Sequence, residues 1–248
     1  MRGSRKHVLD WISQREFSDE LVELVRPVNI EINSTSVWRP LGHSDAKEAR
    51  LESFGPVVYP DLDIWPKLES WWLQHTAGAN TPNWDIALSC TIEGQPSLVL
   101  VEAKAHVSEL SSAGKSLKPD VSSRSRENHE RIDAAIKEAS EALGGSRRGV
   151  RLSRDHSYQL ANRMAFSWRL ASWGMPVVLV YLGFTGDQNM ADVGEPIRDD
   201  AHWQKVFGDH LEEIAPREWI NSRVETTAAP FWLLARSRPM PSVHSAAT

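Results

Sequence analysis

Apolar positions fall into three patterns along the chain, and each predicts a different element. Continuous runs predict strands buried on both faces: LVLVEAKA at 98–105 and PVVLVYLGF at 176–184, the second long enough to be central in a sheet. Strict alternation in VNIEIN (28–33) predicts a half-buried strand. Helical spacing marks DELVELVRP, stopped by Pro27, and NHERIDAAIKEASEALGG, where Ile132, Ala135, Ile136, Ala139 and Leu143 form one stripe before Gly144. It also marks YQLANRMAFSWRLASWG, closed by Gly174, and DDAHWQKVFGDHLEEI, capped by Asp199. Two further helices are expected, SDAKEARLESF with Ser44 as its cap and WPKLESWWLQH with Pro66 at its first position.

WDIALSC and SLVLVEAKA flank TIEGQP, a hairpin signal. FWLLARSRP predicts an edge strand, followed by a flexible tail over 239–248. Residues 107–127 show no period, and so long an irregular segment inside a compact fold is usually functional or disordered. There is no internal repeat, so one domain is expected over 1–238, of class α/β (α+β): a central mixed β-sheet flanked by helices.

Composition narrows the function classes. A net charge of −5 gives no global basic field. Arg147, Arg148, Arg151 and Arg154 nevertheless cluster, as do Lys115, Lys118, Arg124, Arg126 and Arg131. A lone cysteine, Cys90, excludes an internal disulfide and a thiolate metal site, so a reducing, cytoplasmic setting is expected. No apolar run is long enough for a membrane span, and the basic N-terminus lacks the apolar region of a signal peptide. Most of the eleven tryptophans are expected in the core.

Against this background Glu102 and Lys104 stand out, ending a core strand on one face. Asp85, Ala87 and Ser89 share a face of the preceding strand, with Trp84, Ile86, Leu88 and Cys90 on the other. A four-residue loop, Glu93 to Pro96, would pair Ile92 with Ser97 and set Asp85 opposite Lys104. Asp85 and Glu102 would then be diagonal neighbours, roughly 7–8 Å apart at the backbone. Two carboxylates so placed suit Mg²⁺ or Mn²⁺, which can polarise a phosphoryl oxygen, while a lysine stabilises charge growing on the phosphate. The alternative is a cross-strand salt bridge.

Asp85, sixteen intervening residues and then Glu102-Ala103-Lys104 resemble the PD-(D/E)XK nuclease superfamily. PNWDIALSC, LVLVEAKAH, NHERI and YQLANR followed by PVVLVYLGF resemble an uncharacterised bacterial group within it. The likeness covers about residues 40–185, and Trp84 stands where the name-giving proline would be. It implies a restriction-endonuclease-like core of αβββαβ order, Mg²⁺ (or Mn²⁺) as cofactor, and nucleic acid as partner, DNA ahead of RNA. A homodimer stays open. It further implies an acid from an early helix, Glu48 or Glu52, with Glu48 preferred as a metal ligand beside Asp85 and Glu102, and a supporting glutamine at Gln159. Asn128, His129 and Arg131, at the expected start of their helix, are candidates for phosphate contact, and His106 continues the active face. The rival class is a catalytically silent nuclease-like fold that binds nucleic acid or protein.

Overall fold

The computed structural model describes residues 2–145 and 149–240. Its strands are β1 (Ile30–Glu31), β2 (Trp38–Arg39), β3 (Ile86–Ile92), β4 (Gln95–Lys104), β5 (Val177–Thr185), β6 (Ser222–Val224) and β7 (Phe231–Pro239). They form one mixed sheet in the order β1-β3-β4-β5-β7-β6, with β2 also paired to β3. Strands β4, β5 and β7 are parallel neighbours, and β3 joins β4 as an antiparallel hairpin.

Helices cover both faces. On one side α1 (Ser4–Ile12) and α2 (Phe17–Leu24) pack on Val99, Val101, Val178, Val180 and Leu182. On the other lie α3 (Leu51–Val58), α4 (Ile64–Trp72), α5 (Ser123–Gly144), α6 (Tyr158–Ser172) and α7 (Asp200–Glu212), over Leu98, Leu100, Leu179, Tyr181 and Leu233. Successive strand residues point to opposite faces, so two covered faces require the continuous apolar runs at 98–101 and 177–182. The class is mixed α+β, with a mixed sheet flanked by helices. No helix among the described residues is long and apolar enough to cross a membrane.

Several expected boundaries move. The hairpin turns on two residues rather than four: Ile92 pairs with Gln95, and Glu93 and Gly94 both take positive φ (52° and 76°), the backbone a tight hairpin requires. The helix expected from Ser44 begins only at Leu51; the preceding chain is irregular, with a turn at His43–Ser44 and Ala49 bridging Trp84. Competition from that sheet-edge bridge overrides helical periodicity over 44–50. Helix α5 starts five residues before Asn128, with Ser122 as its cap accepting from the Ser125 N–H. VNIEIN contributes only Ile30 and Glu31, and α4 opens at Ile64, two residues before Pro66.

Strand β7 is no simple edge, because β6 pairs with its first three residues. It also runs through Pro239, where the tail was expected to begin, and the Met240 N–H donates to the Thr185 carbonyl. The rest of that tail, 241–248, lies outside the described residues, as do Arg147 and Arg148. Helix α1 had no counterpart in the sequence pattern. Its Val8, Leu9, Trp11 and Ile12 are buried, but they are interrupted by polar residues and stand in a basic context.

Candidate active site

Glu102 and Lys104 occupy the last turn of pleat in β4, on the face covered by α6, and are 3% and 4% exposed. Continuing the observed register past Ile86↔Val101 would bring Asp85 opposite Glu102, not opposite Lys104. The slip from expectation is two residues, so the face is retained. Asp85 itself has left the ladder. The chain bends there, and its Oδ2 accepts the Ala103 N–H at 2.8 Å.

That bend also reverses Trp84, which was expected on the Ile86 face. It belongs instead to the α6 side, against Phe166, and the Arg163 guanidinium lies 4.4 Å from its ring centre.

Helix α6 supplies the partners of Glu102 and Lys104. Lys104 Nζ donates to Glu102 Oε1 at 2.6 Å and to Gln159 Oε1 at 2.8 Å. Arg163 Nε donates to Glu102 Oε2 at 2.8 Å, its Nη1 to Asn162 Oδ1 at 2.9 Å and its Nη2 to the Asn83 carbonyl at 2.6 Å. Gln159 and Arg163 are one helical turn apart, so a single face of α6 grips both ends of the Glu102–Lys104 pair. Arg163 was missed from sequence. Its signal was an arginine inside the apolar stripe of YQLANRMAF, where a buried cation needs a buried acid.

The electrostatics of the two acids diverge. Burial and then the Glu102 charge push the Asp85 carboxyl up to about 7, although the Ala103 N–H, Lys104 and Arg163 oppose them. Burial would raise Glu102 as well, but Arg163 and Lys104 outweigh it and hold its carboxyl below the ordinary value. The Tyr181 hydroxyl, buried nearby without a hydrogen-bond partner among the described residues, is raised far above its ordinary range by burial and by Glu102.

Two clefts, about 520 and 570 Å³, share Asp85, Glu102, Tyr158 and Gln159 in their walls. Glu48 lines the first. It lies before α3, not on a helix with Glu52, and its carboxylate is held by Arg5 and by Asn83 Nδ2. Glu52, in the first turn of α3, accepts from the Thr81 hydroxyl.

Asn128, His129 and Arg131 are not at a helix start, because α5 begins at Ser123. Asn128 lies inside α5 and exchanges two 2.7 Å hydrogen bonds with the His75 backbone, and Arg131 donates to the Ser70 carbonyl. His106 turns to Ser108 Oγ at 3.0 Å and towards Glu109.

Among the described residues, no group of three or more His, Cys, Asp or Glu is arranged to hold a metal ion. Two acids meet at the clefts, Asp85, whose Oδ1 takes no hydrogen bond among the described residues, and Glu102. Magnesium is commonly bound through one or two carboxylates, completed by water and substrate phosphate. No family model, curated protein or solved structure matches the chain. The superfamily resemblance therefore rests on the sequence itself, on Asp85, Glu102 and Lys104 and the segments around them.

Proposed function

We propose that the chain is a metal-dependent nuclease with a restriction-endonuclease-like core, hydrolysing phosphodiester bonds of nucleic acid, DNA ahead of RNA, in a cytoplasmic setting. The observation that carries this reading is the meeting of Asp85, Glu102, Lys104 and Gln159 at the second cleft. Mg²⁺ or Mn²⁺ held by Asp85 and Glu102 would supply Lewis acidity towards a phosphoryl oxygen and neutralise acids that repel a polyanion. An ammonium has three donors, and Glu102 and Gln159 engage two of those on Lys104. The third is left for a phosphate oxygen or an attacking water, where it offsets developing negative charge. Arg163 fixes the Glu102 carboxylate so that one acid is ionised and oriented before substrate arrives. Asp85, adjacent and pushed up to about 7, gains most from a cation.

The test is cleavage of plasmid and of single-stranded oligonucleotides in Mg²⁺ or Mn²⁺. Chelator-sensitive cutting, abolished in Asp85→Asn and Lys104→Ala, is expected. Equal background cutting by wild type and both variants would remove the reading.

One observation favours a second reading, a silent nucleic-acid or protein binding module. Both Glu102 oxygens are already held by cations, so a metal must compete with Lys104 and Arg163. Calorimetry separates the two: DNA binding without Mg²⁺ or Mn²⁺ binding would favour the module.

A further inference from the structure

The cations lining the two clefts fall into two kinds. Lys104 and Arg163 both donate to Glu102, so each has a carboxylate partner, and its one negative charge offsets part of theirs. Arg50 and Lys115, which line the first cleft, have no carboxylate partner among the described residues. Arg50 donates from Nε to Asn83 Oδ1 at 2.8 Å and from Nη1 to Asn80 Oδ1 at 2.7 Å. Neutral amides thus fix its fork without cancelling its charge, leaving donors free. Glu48, on the same cleft, does not cancel them either, being engaged by Arg5 and Asn83.

Lys115 is held in place by its backbone. Its N–H donates to the Arg154 carbonyl at 2.8 Å, the Ser157 N–H to Ser112 at 3.0 Å, and the Tyr158 N–H to Ala113 at 3.1 Å. Gly114 makes this approach possible, because a Cβ there would sit 2.4 Å from the Asp155 carbonyl oxygen. The aperiodic segment after β4 is therefore zipped to the start of α6. The Lys115 ammonium lies 5.1 Å from the centre of the Tyr158 ring, and no hydrogen-bond acceptor reaches it among the described residues. Lys115 is half-buried, and taking a cation even partly out of water without an acid is unfavourable unless an anion completes it.

We propose that Arg50 and Lys115 form a phosphate clamp that holds the backbone of a single nucleic-acid strand in the first cleft, beside Asp85 and Glu102. The clamp rests on the nuclease reading for the identity of the polyanion and deepens it by naming the substrate form. A single strand is favoured because Glu102 and Lys104 are recessed, 3% and 4% exposed, and a flexible strand can bring its phosphates down to such a floor more readily than a stiff duplex. Grooves that carry single strands pair positive charge along the backbone with aromatic walls, as Lys115 and Tyr158 do here.

Fluorescence anisotropy of a labelled single-stranded DNA oligonucleotide, in chelator so that nothing is cut, tests this. Lys115→Gln should weaken binding roughly fivefold at about 50 mM salt, and its plot of log affinity against log salt should be shallower by about 0.7. Lys115→Arg should restore both, and Arg50→Gln/Lys115→Gln should weaken binding further. Thermal unfolding of each variant excludes loss of fold as the cause. Unchanged affinity and slope in Lys115→Gln, no binding by wild type, or equal binding of duplex would each overturn the clamp. The nuclease reading is judged separately, by cleavage in Mg²⁺: a clamp effect without Asp85-dependent cutting would sink that reading and leave the clamp standing.

Discussion

Arg163 Nε donates to Glu102 Oε2 across the boundary of α6 and β4, with the two side chains only 7% and 4% exposed. Breaking a buried pair from one side leaves a charge without its partner, which costs about 3–5 kcal/mol. Arg163→Met should therefore lower the urea unfolding midpoint by a corresponding amount. Arg163→Met/Glu102→Gln should recover much of the loss, since the two effects are coupled. An Arg163→Met midpoint equal to wild type would mean that Lys104 alone balances Glu102.

Asp85 gives stability a pH dependence of definite sign. Its carboxyl is raised from the unfolded value of 3.8 to about 7, so between those limits the folded state holds a proton that the unfolded state has lost. Its contribution is fully present below about pH 4, falls as pH rises, and is gone above about 7, in metal-free protein. The slope is at most roughly 1.4 kcal/mol per pH unit, and smaller because the side chain stays partly open to the cleft. Unfolding measured in chelator from pH 4.5 to 7.5 should show wild type losing stability relative to Asp85→Asn. A constant difference between them would contradict the raised carboxyl.

The strands carrying Glu102 and Lys104 were legible because two-sided burial leaves an unbroken apolar run, and the ionic pair at its end has no packing role. The face shared with Asp85 was legible for the same reason of alternation, even though the register was off by two. What could not be read was non-local. Trp84 and Ala49 choose a bridge that cancels a helix over 44–50, and Gly114 closes on Asp155 across forty residues of chain. Arg163 reads as an interruption of an amphipathic stripe until Glu102 is placed beneath it.

Close packing between β5 and α7 makes a further stability prediction. A Cβ on Gly183 would lie 2.6 Å from Trp203 Cδ2, and that indole is fully buried and stacked on Phe207 at 5.6 Å. With no room for the ring to yield, Gly183→Ala should cost about 1–3 kcal/mol, read as a lower urea midpoint. Wild-type stability would show that α7 can shift away from the sheet.

Residues around the carboxylate pair should rank by what they touch. Asp85→Asn and Lys104→Ala remove groups proposed to face metal and phosphate, so cleavage should fall to background. Gln159→Leu keeps the volume but releases one of two holds on Lys104 Nζ, which loosens a group rather than deleting it. Such a supporting contact is worth about 10–100-fold, and the loss should appear in kcat with KM little changed and the unfolding midpoint near wild type. Glu48→Gln should be mildest, because Arg5 and Asn83 already engage that carboxylate at the cleft wall. Single-turnover cleavage in Mg²⁺ across the four variants checks the order. If Glu48→Gln proved as damaging as Asp85→Asn, Glu48 would have to leave Arg5 in the working enzyme and join the two acids as a third ligand.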